Sequence, residues 1–349
     1  MLEVSRIEAE PPRGFENEYY QNYYRMALRL QFPSARMQRF PSPHRWMRKG
    51  QRILGRMRRS SGIRFPAAGA EQCGRYIVHW KDVSHPAIRM IIDAHDSADV
   101  MDWPGLEWCD LYFKANLWPD REYPAKVHPV VNGNGELNES RIEHLRGLRS
   151  LEKKYDLVFV SRIWGGIEHN CRLFEALVGL PGKVKLLAVF PTYGGSYGEE
   201  LNRARIRLEK AGVPCTSESL SREELWRYLA ASKVVLLRAG KHLCLPWRTL
   251  DLLAMGSAIL LDAKPRPQWP VPLEENKHFA CAGLSRPEDT GAAPQEEYSR
   301  IAQKIDHLLA SGETENLSAR AGCYFDQYAS PRAVGEYMAT KIMAEASNG

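Results

Sequence analysis

Residues 233–262 read KVVLLRAGKHLCLPWRTLDLLAMGSAILLD. The first five are a β-branched and leucine run, long enough for a buried strand and too short for a helix. The run stops at Arg238-Ala239-Gly240. Pro246 suits the first turn of a helix, Leu250, Leu253 and Ala254 recur at helical spacing, and Gly256 stands where a C-terminal cap is expected. Residues 257–261 read as the next strand. The stretch is one strand, loop, helix, strand unit of a parallel sheet, and its loop leaves the carboxyl end of the strand, where open α/β sheets bind ligands.

The polar residues of this unit point to an anion. Arg238 ends the strand, Gly240 allows a backbone to come close to a ligand, Lys241 and His242 add cationic or hydrogen-bonding groups, and Arg248 lies in the first helical turn. Asp251, three residues after Arg248, is placed to orient that arginine or to accept hydrogen bonds from a sugar hydroxyl. A surface Arg and Asp pair on an ordinary helix would show the same spacing. Upstream, residues 156–161 (DLVFVS) form a buried strand followed by Arg162-Ile-Trp164-Gly165-Gly166 and a helix over 169–178. Further strands are expected at 184–190 and near 214–215, with helices over 199–211 and from Ser221, whose Ser221/Glu224 spacing is a capping box.

The run Arg248-Thr249-Leu-Asp251-Leu-Leu-Ala254-Met-Gly256-Ser-Ala-Ile-Leu resembles the nucleotide-sugar-binding half of GT-B glycosyltransferases, most of all the exostosin-like and group 1 patterns. The resemblance covers roughly residues 154–343. It implies an α/β fold of two Rossmann-like domains facing a cleft, with C-terminal helices crossing back to the N-terminal domain. It also implies transfer of a sugar from a nucleotide-sugar donor to an acceptor hydroxyl. Arg162, Gly165, Arg238, Gly240, Lys241, His242, Arg248, Thr249 and Asp251 would then be donor-binding, and Tyr193 would stack on the base. The common retaining signature has two glutamates eight residues apart; the second falls on Asp251 and the first on Leu243, which is not acidic, so the stereochemical outcome stays open. A non-catalytic scaffold of the same fold and a nucleotide-sugar epimerase are the alternatives.

Before residue 150 the sequence carries weaker signals. Residues 76–80 and 89–93 read as two strands around a turn, the second ending in Asp93-Ala-His95-Asp96. His95 with Asp93 or Asp96 would make a catalytic base and its orienting acid, or the aspartates would simply cap a turn. Lys114, at the end of a strand over 109–114, and Asn132 and Asn134, in a turn-rich segment, are the candidates for an acceptor side. Ser140 and Glu143 have capping-box spacing ahead of a helix to about 154, read as a bridge between domains. The expected division is an acceptor-side domain at 1–150, a nucleotide-sugar domain at 151–325, and a C-terminal helix at 326–349 packing on the first domain.

Composition bounds the class. At 349 residues with 44% apolar and 26% charged residues, the chain has enough material for two domains with a sizeable core. The excess charge of +6 is concentrated: residues 36–64 hold ten Lys or Arg and no acidic residue. Within them, residues 44–61 form a basic amphipathic pattern that would rest on an anionic membrane, or pack on its own domain with a solvated basic rim. No helix-turn-helix, zinc-finger or RNA-binding signature is present, so nucleic acid is not an expected partner. The seven cysteines form no Cys-x-x-Cys pair, which points to reduced thiols and no zinc cluster. Cys244 reads as a packed thiol. The first residues lack a signal-peptide core and no apolar run reaches the length of a spanning helix. The expectation is a cytoplasmic, metal-independent enzyme without a cofactor, with a peripheral contact at the inner face of the membrane through 44–61.

Overall fold

The computed structural model describes residues 2–10, 15–39, 73–287 and 291–348. The basic segment 44–61 lies outside the described residues. The chain divides into two compact units, Met1–Glu136 together with Pro331–Gly349, and Leu137–Ser330. No helix among the described residues is long and apolar enough to cross a membrane.

The first unit is built on six strands: β1 (Val4–Ala9), β2 (Arg36–Arg39), β3 (Cys73–Trp80), β4 (Ile88–Asp93), β5 (Leu111–Lys114) and β6 (Val127–Pro129). They lie in the order β2-β1-β3-β4-β5-β6, and β3 runs antiparallel to both neighbours while the other pairs are parallel. The sheet is therefore mixed, with three of its five pairings parallel. The cause is local: residues 81–87 are too few for the crossover that a parallel β3–β4 pair would need. Met90, Ile91, Ile92, Tyr112 and Phe113 are fully buried at the centre of the sheet.

The long helix Phe15–Gln31 packs against the C-terminal helix Pro331–Asn348 within this unit. Their backbones come close at Gly335, where an added Cβ would lie 2.3 Å from the carbonyl oxygen of Ala27. The C-terminal region carries two helices, Glu313–Tyr324 and Pro331–Asn348. Glu313–Tyr324 ends in a wide turn over Phe325–Ala329, and Ser330 is extended before Pro331. Proline disfavours helical backbone in the residue before it, so the chain turns there.

The second unit carries β7 (Tyr155–Arg162), β8 (Val184–Val189), β9 (Cys215–Thr216), β10 (Ser232–Leu237), β11 (Ile259–Leu261) and β12 (Ala280–Cys281). All pairs are parallel, in the order β9-β8-β7-β10-β11-β12. Numbered within the unit this is 3-2-1-4-5-6, the doubly wound order of dinucleotide-binding sheets. Leu157, Val158, Val234, Leu260 and Ala280 are buried, as strands covered on both faces require. The strand order reverses between β7 and β10, and the crevice outside the carboxyl ends of those two strands is where such sheets bind ligands. The Ser221/Glu224 capping box is formed.

The helix read as a bridge, Glu139–Gly147, belongs to the second unit. Its cap is Asn138, which accepts the amide of Arg141, rather than Ser140. Just beyond it, Arg149 donates to the Ala254 carbonyl at 2.8 Å and to Asp326 at 2.7 Å, and Arg146 reaches the same carboxylate at 3.0 Å. These bonds tie the segment to the second unit.

Candidate anion site at the switch point

At the carboxyl end of β7 the chain turns through Gly165 and Gly166, with φ of +57° and +58°. Two successive left-handed residues are readily tolerated only by glycine. The turn delivers the chain into the helix Ile167–Leu177, and no side chain caps that helix. The amides of its first turn have no intrahelical acceptor and carry the positive end of the helix dipole. The turn is held on several sides. Asn170 Nδ2 donates to the Gly165 and Gly166 carbonyls at 3.2 and 2.9 Å, and the Gly165 amide donates to the Tyr197 hydroxyl at 3.2 Å.

Arg238 comes from the end of β10, the neighbouring strand. Its Nη1 donates to the Gly165 carbonyl at 3.0 Å and its Nη2 approaches the Trp164 carbonyl at 3.5 Å. Arg248, one turn into the following segment, donates from Nη1 to the Val160 carbonyl of β7 at 3.1 Å. Two arginines thus converge on β7 and its glycine turn, each donating to a backbone carbonyl there. Burial, then the charge of Arg286, then that of Arg248, hold the Arg238 guanidinium below its ordinary value, with Asp262 opposing. Arginine remains protonated despite this. The depression records first the burial of this guanidinium and only then the positive charge beside it.

The sequence reading missed the group that braces this loop. Asp262, directly after β11, is fully buried and accepts four hydrogen bonds: from the amides of Ala239 and Ala263 at 2.7 and 2.8 Å, from His169 Nε2 at 2.7 Å, and from Arg286 Nη1 at 2.9 Å. Burial raises its pKa, but the His169 hydrogen bond and the Arg286 charge outweigh burial and hold it below the ordinary carboxylate value. His169 is fully buried, its Nδ1 lies 2.6 Å from the Tyr298 hydroxyl, and burial pushes its pKa down. Burial pushes the Tyr298 hydroxyl up to about 12. Arg286 also donates to the Ala239 carbonyl at 3.0 Å, while its buried Nε has no partner among the described residues. Arg286 thus pairs with the Asp262 carboxylate, whose charge Arg238 also feels. Asp262 carried the same signal as Arg238, a charged residue ending a buried strand; His169 and Arg286 carried none.

The other residues chosen from sequence fall variously. Arg162 is exposed at the end of β7, and Lys241 is exposed in the short turn Lys241–Leu243, where His242 has φ +56°. Gly240 is packed tightly in its own loop: an added Cβ would lie 2.4 Å from Cys244 Sγ. Thr249 is 2% exposed and its hydroxyl has no partner among the described residues. Asp251 is buried and accepts the indole N–H of Trp226 at 3.1 Å.

In the first unit Asp93 is committed to partners other than the His95 ring. Asp93 and Lys114 are cross-strand partners on β4 and β5, both fully buried, and their charges pair at 3.0 Å. The Asp93 carboxylate also accepts the Tyr112 hydroxyl at 2.7 Å and the His95 amide at 3.0 Å. It is therefore a structural ion pair, and Lys114 is not free to line an acceptor cleft. The contact between His95 and Asp93 is through the backbone, not the imidazole. Nδ1 of His95 accepts the Ser97 amide at 2.9 Å, so a neutral ring carries its proton on Nε2 and offers no lone pair there. Asp96 is half-buried in the same turn. Asn132 and Asn134 are buried, and Asn134 accepts from the Tyr19 hydroxyl at 2.9 Å and the Glu136 amide at 3.0 Å.

No family model and no curated protein matches the chain. Among solved structures it is similar to a glycosyltransferase from Rickettsia africae ESF-5, at 12% identity over 68% of this chain and 64% of that one, with a TM-score of 0.43. Sucrose-phosphate synthase from Thermosynechococcus elongatus matches at 14% identity over 70% and 61%, TM-score 0.48. Anabaena Alr3699/HepE, solved in complex with UDP-glucose, matches at 13% identity over 68% and 64%, TM-score 0.44. The chain thus spans less than two thirds of the length of each. With identities this low and TM-scores below 0.5, what the chain does has to be read from its own side chains.

Proposed function

We propose that the chain is a glycosyltransferase whose second unit binds a nucleoside-diphosphate sugar. The observation that carries this reading is the placement of Arg238 and Arg248, both held on β7 or its glycine turn by neutral carbonyls, beside an uncapped helix N-terminus at the switch point of a doubly wound sheet. A diphosphate would add negative charge beside the two guanidiniums and the open helix amides. When the glycosidic bond to the diphosphate breaks, charge grows on the leaving oxygens, and fixed guanidiniums and amides stabilise it without reorganising. Arginines in these positions take the part a divalent ion plays elsewhere, so the reaction runs without a metal. An acceptor hydroxyl receives the sugar.

The test is a thermal-shift screen against UDP-, GDP-, dTDP- and CMP-linked sugars, followed by turnover in EDTA. A ligand at a hundred times its Kd stabilises the native state by about 2.7 kcal/mol, enough to single out the nucleotide. Replacing Arg248 by Ala should abolish transfer and donor hydrolysis. Full donor affinity and turnover in that variant would refute the diphosphate site. Binding without turnover in the wild-type protein, with every acceptor tried, would instead favour a non-catalytic protein of the same fold.

A further inference from the structure

Two large aromatic side chains of the second unit stand in water where the fold gives no reason for it. Trp164 is 51% exposed and Tyr193 is 42% exposed. They come from different loops, one after β7 and one after β8, yet their ring centroids are 5.0 Å apart, and Tyr197 completes the group at 6.1 Å from Trp164 and 5.6 Å from Tyr193. Single exposed aromatics are ordinary; a contiguous cluster marks a recognition surface. This cluster is joined to the anion site by its backbone: the Trp164 carbonyl faces Arg238, and the Tyr197 hydroxyl takes the Gly165 amide.

We infer that Trp164, Tyr193 and Tyr197 form a platform for a pyranose ring next to the diphosphate site. The inference rests on the donor-site reading above and adds the chemical class of a second group. The inclination of the rings selects that class. Their planes meet at 48°, 77° and 70°. A nucleobase is flat, so it can lie parallel to only one of the three and meets the others by its edge. A pyranose is puckered and directs C–H groups from its face at several angles, so one ring can meet differently tilted aromatic faces. The shared chemistry is a sugar face; it can belong to an acceptor glycan or to the sugar of the donor.

Saturation-transfer NMR with the full chain tests this. Methyl glycosides of glucose, galactose, mannose and N-acetylglucosamine would be offered with UDP, GDP or dTDP present, alongside the intact nucleotide sugars. Expected is transfer from protein aromatic protons to pyranose C–H protons. Transfer to a glycoside while the diphosphate is bound identifies an acceptor subsite; transfer only to the sugar of the intact donor identifies a donor subsite. Tyr193→Ala should weaken the sugar contact about tenfold and leave nucleoside-diphosphate affinity within about threefold, and Trp164→Phe should retain more of the contact than Trp164→Ala. Saturation confined to nucleobase protons, or no sugar signal while a nucleoside diphosphate binds, would overturn the platform. Loss of every nucleoside-diphosphate signal in the wild-type protein would overturn the donor site itself, a separate result.

Discussion

Replacing Arg238 by Ala separates two effects that the structure sets against each other. In the unliganded protein the side chain gains hydrogen bonds to the Gly165 and Trp164 carbonyls and suffers repulsion from Arg286 and Arg248. A net hydrogen bond contributes about 1 kcal/mol, and the relieved repulsion offsets it, so the variant should unfold within about 1 kcal/mol of the parent. A bound diphosphate changes the balance. One unit charge about 4 Å from another at an effective dielectric near 20 is worth about 4 kcal/mol. Arg238 keeps part of its surface in water, so about half of this is expected, roughly 2 kcal/mol or about 30-fold in Kd. Isothermal titration with the nucleoside diphosphate chosen by the thermal-shift screen, at low and high salt, measures it. The wild-type affinity should fall with salt and the variant's should fall less steeply. A variant with normal stability and an affinity within about threefold of the parent would refute the placement of the diphosphate.

Three further outcomes follow from named contacts. Asp262→Ala leaves Arg286 and His169 buried without their carboxylate, so urea unfolding of the second unit should be easier by about 3–5 kcal/mol; a change under about 1 kcal/mol would show that the network is not a brace. His169 has a pKa depressed from 6.5 by burial, so below that value the unfolded chain binds a proton that the native state refuses. Stability should therefore fall as pH drops below about 6.5 and continue falling as Asp262, also depressed, is approached. Melts of His169→Gln between pH 7 and 5 should show a shallower loss. Gly335→Ala should destabilise the first unit by about 1–3 kcal/mol because its Cβ meets the Ala27 carbonyl, even though alanine is about 1 kcal/mol the better helix former; a stabilised variant would mean the helices can separate without loss.

What the sequence disclosed follows from which signals are local. The strands of the second unit are apolar runs because both faces are covered, and the Gly165-Gly166 turn and Arg238 are marked by their position at strand ends. All of that is written within a few residues. Asp93 and Lys114 show the limit: each was noticed as a polar residue ending a strand, but only the β4–β5 register brings them side by side and cancels them as reactive groups. The same holds for Asp262, whose partners His169 and Arg286 lie 93 and 24 residues away. Asp251 shows a related limit, since a helical period cannot say that Trp226 from another helix will donate to the carboxylate. In the first sheet, β3 and β4 were legible as two strands around a turn, while β1 and β2 were not legible as strands.

The helix that begins at Pro331 imposes an order of events during synthesis. The first unit includes residues from both sides of the second, and the contact between Gly335 and Ala27 closes only after the intervening Leu137–Ser330 has been translated. The second unit is continuous and can complete its sheet while the earlier-made half still waits for a missing piece. The usual vectorial sequence, in which the leading domain folds first, is therefore inverted. During that interval the Phe15–Gln31 helix exposes an unfilled face to the surroundings of the ribosome.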